Sequence, residues 1–192
     1  MSEVPDHFAR LGLPRKLALT AEDLEACRDR ESRVHHPDQG GSAAAFAAVN
    51  DAYSVLRSPA RRTRHLLELL VPDAPPTRQA SLPSDLGDLF MKIGPLLSEA
   101  DELEARRTAA SSALVRALLA DEEAQMRDRL EDALAGITTA TALRTDAFPS
   151  LDEARLESED EQRAELLRCW SALSFLEKWE TQVRTRWAQL AG

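Results

Sequence analysis

The 192-residue chain is poor in glycine and tyrosine, with seven glycines and a single tyrosine. Alanine, leucine, glutamate and arginine, which favour helices, are abundant instead, so the composition indicates an all-α protein. No apolar run approaches the roughly 20 residues that a transmembrane helix needs. The start, MSEVPDHF, lacks the basic and apolar regions of a secretory signal. We therefore expect a cytoplasmic protein that does not associate with membranes.

Cysteine is also scarce. Cys27 and Cys169 lie far apart without CxxC spacing, so we expect no disulfide framework and no zinc site, but two reduced, packed thiols. Adjacent residues at a helix end point in different directions, so His35 and His36 do not predict a metal site. No set of nucleophile, base and orienting group is apparent either. The sequence thus predicts neither an enzyme nor a bound cofactor.

An excess of basic charge is missing as well. Residues 1–70 hold ten acidic and ten basic side chains, whereas residues 71–192 hold 23 acidic and 14 basic ones. The second part therefore carries the whole net charge of −9. A nucleic-acid-binding protein needs a basic face to contact phosphates, so this distribution argues against such a partner.

Proline is concentrated in one segment. Four of the ten prolines fall within residues 71–84. Because proline removes backbone donors and disfavours helix at the preceding residue, this segment predicts a stiff linker. The predicted domains are therefore residues 1–70 and residues 85–192, joined by the proline-rich linker 71–84.

The first predicted domain consists of helices over about 5–11, 21–35, 42–57 and 59–70. Thr20 is a suitable N-cap for the second helix, and Pro59 suits the first turn of the fourth. In the third helix, Phe46 and Val49 are three residues apart, and Val49 and Leu56 are seven residues apart. This spacing places all three on one helix face, which we expect to be buried.

The second predicted domain is an antiparallel three-helix bundle. Its helices are expected over about 85–93, 95–119, 121–136 and 150–190. The pair Gly94-Pro95 is expected to end the first of them, because proline in a helix interior costs about 3 kcal/mol or more. Leu114 and Leu118 are assigned to a buried stripe. The last helix carries Trp170, Trp179 and Trp187, which are expected in the core.

The tripeptide His36-Pro37-Asp38 lies between the second and third helices. Pro37 fixes the backbone and so lowers the entropy lost when the loop docks on a partner. Asp38 offers a carboxylate for a bidentate arginine pair, and His36 offers a donor, an acceptor and a flat face. An ordinary Asx-type turn is the other interpretation. The sequence thus predicts a docking loop rather than an active site.

The segment LTAEDLEACRDRESRVHHPDQGGSAAAFAAVNDAYSVLRSP, which contains this tripeptide, resembles the J domain. J domains stimulate ATP hydrolysis by DnaK-type chaperones. The resemblance implies that the tripeptide, with Arg30 and Arg33 on the second helix, contacts such a chaperone. J domains place an aromatic residue and a leucine where this chain has Arg28 and Glu31. The apolar anchors left on the second helix are mainly Leu24, Cys27 and Val34.

Two further segments, VLRSPARRTRHLLELL and LSFLEKW, resemble the HscB-type co-chaperones of iron–sulfur cluster assembly. That family's second domain is a three-helix bundle that binds the cluster scaffold protein and delivers it to the chaperone. The resemblance implies client contact by Phe90, Met91 and Phe175. Burial in the core is the other interpretation of these three residues. The family continues its helix where this chain has Gly94-Pro95.

The sequence therefore predicts a co-chaperone that activates a DnaK-type ATPase and presents an iron–sulfur scaffold protein to it. Two alternatives stay open. One is a J-domain adaptor for a different client, which a helix break at Gly94-Pro95 would favour. The other is a J fold that no longer activates a chaperone and serves as an interaction module, which Arg28 and Glu31 would favour.

Overall fold

The structure, a computed structural model, describes residues 4–70, 83–153 and 159–191. All regular secondary structure within these ranges is helical, which confirms the predicted all-α class. The chain forms two compact units, residues 1–80 with 144–173 and residues 81–143 with 174–192. The linker lies almost entirely outside the described residues, and the domain limits drawn from it stay a prediction.

The α-helices are α1 (His7–Arg10), α2 (Ala21–His35), α3 (Ala43–Arg57), α4 (Pro59–Leu70), α5 (Gly87–Ala109), α6 (Ala113–Thr145), α7 (Phe148–Glu153) and α8 (Glu159–Ala191). Short 3₁₀ turns cover Pro37–Gln39 and Ser84–Leu86. The first four helices lie where the sequence predicts them. The Thr20 hydroxyl accepts a hydrogen bond from the Asp23 N–H at 3.0 Å, and the Ser42 hydroxyl caps α3 in the same way through Ala45 at 3.1 Å.

The predicted helix end at Gly94-Pro95 is wrong, because α5 continues through both residues. Pro95 lacks the N–H that would donate to the Met91 carbonyl. Both Gly94 and Pro95 lie on the exposed side of α5, where water can pair with that carbonyl. On the opposite side Ile93 and Leu96 are buried. Their burial holds the helix together across the missing hydrogen bond.

The actual break between α5 and α6 falls at residues 110–112, inside a predicted helix. The Ser112 hydroxyl accepts from the Val115 N–H at 3.2 Å and so caps a new helix. The assignment of Leu114 and Leu118 to a buried stripe is also wrong, because they are 71% and 69% exposed. The helix predicted over 121–136 is the middle part of the longer α6.

The long helix predicted over 150–190 is divided into α7 and α8, and residues 154–158 between them lie outside the described residues. Trp170 and Trp179 are buried, as predicted. Trp187 is only half-buried, and its indole N–H donates to the Glu131 carboxylate at 2.9 Å. This residue is therefore a boundary residue rather than a core residue.

The second unit is a three-helix bundle of α5, α6 and the later part of α8, which confirms the predicted bundle. Each helix gives one apolar face to its core. The buried residues are Ile93, Leu96, Ala100 and Leu103 from α5, Leu119, Met126, Leu130 and Ile137 from α6, and Leu176, Trp179, Val183 and Leu190 from α8. Exposed ion pairs such as Arg186–Asp101 at 2.9 Å and Arg129–Glu99 at 2.6 Å cross between its helices.

The core of the first unit joins the N-terminal helices to a segment much later in the chain. The residues from α1 to α4 and their connections are Phe8, Leu11, Leu17, Leu24, Val49, Ala52, Leu56, Ala60, Leu66 and Leu67. Those from α7 and α8 are Phe148, Leu166, Trp170 and Leu173. The helices that resemble a J domain thus share their core with residues far outside the first 70.

Both cysteines carry free thiols and are half-buried, as the sequence predicts. Burial, with a smaller contribution from the Glu165 charge, raises the pKa of the Cys169 thiol to about 11. Cys169 therefore remains protonated at neutral pH and acts as a small packing group.

A polar contact of Asp152 reinforces this shared core. One carboxylate oxygen of Asp152 in α7 accepts from the Leu17 N–H and the other from the Ala18 N–H, both at 2.8 Å. The nearby Arg62 is buried, and one of its guanidinium nitrogens donates to the Leu19 carbonyl at 3.0 Å. Burial lowers the pKa of Arg62 to about 10, and the Asp152 charge opposes that shift. The loop between α1 and α2 is thus held by one carboxylate and one guanidinium group.

Replacing Asp152 by alanine is expected to lower the free energy of unfolding by about 2 kcal/mol, because two backbone N–H groups lose charged acceptors. Asp152→Asn keeps one acceptor and should lie in between. Urea unfolding followed by circular dichroism measures both changes. Glu153→Ala, an exposed neighbour on α7, is the matched control. Equal stability of Asp152→Ala and Glu153→Ala would contradict the proposed anchoring.

His65 in α4 is a second buried polar group. Its Nε2 atom accepts from the His7 N–H at 3.1 Å, and its ring stacks on Phe8 at 5.5 Å between centroids. Burial lowers the pKa of His65, and the His7 ring adds to this effect, whereas Glu68 and Asp6 oppose it. The neutral imidazole is therefore the form that joins α4 to the start of α1.

Because the folded-state pKa of His65 lies below the unfolded value, the stability it contributes is present above about pH 6.5 and is lost as the pH falls through the folded pKa. We expect the melting temperature to fall between about pH 7.5 and pH 5.5. His65→Gln keeps a side-chain acceptor that does not titrate, so its melting temperature should fall less. Equal falls in the two proteins would show that other groups cause the pH dependence.

Candidate functional site

The loop at His36-Pro37-Asp38 is ordered by its own backbone. His36 has extended dihedral angles, φ −63° and ψ 133°, as expected before a proline, and it ends α2. Its carbonyl accepts from the Gln39 N–H at 2.9 Å and the Gly41 N–H at 3.0 Å, and its Nδ1 atom accepts from the Asp38 N–H at 3.2 Å. The tripeptide therefore forms a capped 3₁₀ turn rather than an open loop.

Glycine is required at Gly41, which follows this turn. A Cβ atom there would lie 2.1 Å from the His35 carbonyl oxygen, so only glycine lets the chain return this close to the end of α2. Gly40 before it has a left-handed φ of 85°. The two glycines thus fix the path from the loop into α3.

In this turn the His36 ring packs against α3, whereas the Asp38 carboxylate is exposed. The His36 ring meets the Phe46 ring of α3 edge-on, with 5.3 Å between centroids. The Asp38 side chain is 84% exposed, and its carboxylate lies 3.7 Å from Nδ1 of His36. The structure thus brings the three predicted docking residues into one fixed arrangement, with Asp38 presented to solvent.

Arg30 and Arg33, the two predicted contact residues on α2, differ in their surroundings. One guanidinium nitrogen of Arg30 donates to the Leu11 carbonyl at 3.1 Å, and another donates to the Glu31 carboxylate at 3.0 Å. Arg30 therefore helps to hold the end of α1. Arg33 is exposed near the loop end of α2.

Arg28, which stands where J domains carry an aromatic residue, has a packing role. Its guanidinium group lies 4.6 Å from the centre of the Tyr53 ring of α3, and it also donates to Asp29 at 2.7 Å. A cation–π contact thus joins α2 to α3 at this position. Val34, assigned as an apolar anchor of α2, is 61% exposed, so that assignment is wrong. Val34 lies in the last turn of α2, whereas the buried residue of this helix, Leu24, lies in its first turn.

The second candidate surface, called the apolar patch here, consists of Phe90, Met91 and Phe175 in the second unit. Phe90 is 49% exposed and Met91 71%, whereas Phe175 is half-buried. The rings of Phe90 and Phe175 lie 6.1 Å and 6.0 Å from the ring of Trp179. Trp179, which the sequence assigns only to the core, is therefore the buried support on which both phenylalanine rings pack.

Among the described residues, no group of three or more His, Cys, Asp or Glu side chains is placed to hold a metal ion. Within the same ranges, no helix is long and apolar enough to cross a bilayer.

Comparison with known proteins links the chain to one group of co-chaperones. No family model matches it. It is 34% identical to the co-chaperone protein HscB homolog of Chromobacterium violaceum over 89 residues, which are 42% of this chain and 51% of that protein. It is 41% identical to the HscB homolog of Bordetella avium over 73 residues, 33% of this chain and 43% of that protein. The chain thus spans about half the length of the curated relatives it matches.

The chaperone HscB from Vibrio cholerae superimposes on 94% of this chain and 96% of its own, with a TM-score of 0.51 and 21% sequence identity. The predicted resemblance to HscB-type co-chaperones is confirmed. At this identity the HscB structure shows a shared fold and not a shared activity. The helical hairpin with its loop and the following bundle are thus those of an HscB fold.

Proposed function

We propose that this protein is a co-chaperone that stimulates the ATPase of a DnaK-type chaperone through His36, Pro37 and Asp38. The observation that carries the proposal is the geometry of the loop. Its backbone is closed by hydrogen bonds, its histidine is held by Phe46, and the carboxylate of Asp38 is exposed. A turn ordered before docking loses little entropy on binding, and an exposed carboxylate can pair bidentately with an arginine.

The apolar patch is proposed to bind the client, an iron–sulfur cluster scaffold protein. The curated relatives named HscB homologs support this assignment. Phe90 and Met91 expose apolar surface on a helix whose other side is buried, a pattern typical of protein-binding sites. A helix break at Gly94-Pro95 would favour a different client, but α5 continues through both residues.

The alternative of an inactive J fold rests on Arg28 and Glu31, and the structure weakens that argument. Arg28 packs on Tyr53, and Glu31 is half-buried with its carboxylate 3.9 Å from His35. The contact between Arg28 and Tyr53 thus joins α2 to α3 where J domains use apolar side chains.

The proposed activity takes place in the cytoplasm and needs no cofactor, nucleic acid or catalytic residue of this chain.

The deciding experiment is the steady-state ATPase rate of the host's DnaK-type chaperone with this protein, with and without the scaffold protein. Stimulation that the scaffold amplifies is the expected result. Stimulation indifferent to the scaffold would keep the loop function and remove the proposed client. No stimulation at all would favour an interaction module without chaperone activation.

His36→Gln is expected to abolish stimulation while leaving the melting temperature within about 1 °C, because the ring is nearly half exposed and lies outside the core. His35→Gln alters the neighbouring histidine and is the matched control, expected to keep stimulation. Stimulation retained by His36→Gln would contradict the role of the docking loop.

The double variant Phe90→Ala, Met91→Ala is expected to weaken scaffold binding about tenfold or more, because central apolar residues dominate such interfaces. Its melting temperature should change little, since both side chains are exposed. The control is Leu114→Ala, Leu118→Ala, which removes a similar exposed apolar area from α6. Isothermal titration calorimetry measures the affinities. A large fall in melting temperature would show that Phe90 and Met91 are core residues.

A further inference from the structure

The exposed face of α5 beside the apolar patch contains Gly94 and Pro95, and these two residues leave a main-chain acceptor open. We propose that the carbonyl oxygen of Met91 is part of the client-binding site and accepts a hydrogen bond from the client. This inference rests on the proposed client function and adds a specificity element to it.

The proline removes the usual donor for this carbonyl. In an α-helix the carbonyl of residue 91 accepts from the N–H of residue 95, and Pro95 has none. The helix nevertheless continues for 14 residues beyond Pro95. The Met91 oxygen is therefore left without its regular partner in the middle of a formed helix rather than at a frayed end.

The glycine leaves this carbonyl accessible. Helix carbonyls point towards the C-terminus, so the Met91 oxygen is directed to the level of residues 94 and 95. Met91, Gly94 and Pro95 are all exposed, and no side chain from another part of the protein lies within 4 Å of a Cβ atom built on Gly94. The nearby Ser98 hydroxyl donates to the Gly94 carbonyl at 3.4 Å and not to Met91. A donor from solvent or from a partner can thus approach.

The surroundings indicate what kind of client segment fits. Phe90 and Met91 provide apolar contact directly beside the acceptor. Asp88 is exposed and lies three residues before Met91, which places it on the same helix face. This combination fits an apolar side chain next to an arginine or lysine donor. A segment without a donor would bury the carbonyl unpaired and bind more weakly.

The test combines Pro95→Ala and Gly94→Ala with the scaffold protein as the probe. Pro95→Ala restores the N–H donor, whereas Gly94→Ala keeps the proline and adds a methyl group over the carbonyl. Both changes favour the helix, so the melting temperature should rise in each. Both should nevertheless weaken scaffold binding, by about five- to tenfold. Gly136→Ala in α6, where the added methyl makes an ordinary contact with Leu89 at 3.5 Å, is the control for helix stabilisation alone.

The outcomes separate this inference from the proposed function. Weaker binding by both α5 variants and unchanged binding by Gly136→Ala is the expected result. Unchanged binding by either α5 variant, while the unsubstituted protein binds, would overturn the role of the Met91 carbonyl and leave the client assignment standing. No scaffold binding by the unsubstituted protein would overturn both.

Discussion

The first unit depends on a core that its own N-terminal helices do not complete. Of the 15 residues in α2 only Leu24 is buried, and small helical domains have little apolar surface to bury. Phe148, Trp170 and Leu173, which come from the second half of the chain, supply part of the missing surface. The helices α2 and α3, which the docking loop connects, therefore pack in a core that residues of α7 and α8 complete, whereas the turn itself is closed by local hydrogen bonds.

Charged side chains make several of the packing and hydrogen-bond contacts that stabilise the first unit. The guanidinium of Arg28 covers the Tyr53 ring, that of Arg30 pairs with the Leu11 carbonyl, and the carboxylate of Asp152 pairs with two backbone N–H groups. Each contact satisfies a group that would otherwise be left unpaired or uncovered. An arginine on α2 is therefore not automatically a partner-binding residue, and Arg33 is the better candidate of the two that the sequence indicates.

The sequence predicts those features that depend on neighbouring residues. The cap at Thr20 and the loop at Pro37 are both local features, so the first four helices and the position of the loop between α2 and α3 are predicted correctly. Gly94-Pro95 is misread because the cost of a helix proline depends on whether its orphaned carbonyl faces water. The supporting roles of Trp179 and Asp152 depend on contacts between distant segments, for which periodicity gives no signal.

In α5 the helix stays formed although Gly94 and Pro95 lower its intrinsic stability. Proline and glycine at exposed sites reduce helix stability, and the burial of Ile93 and Leu96 is sufficient to keep the helix formed. The hydrogen bond lost at Pro95 is the one that the Met91 carbonyl, next to Phe90 in the sequence, would otherwise accept. An apolar surface binds many partners. A carbonyl that needs a hydrogen-bond donor in the complex favours those partners that supply one. A helix held firmly from its buried side can therefore carry this selective group on its exposed side.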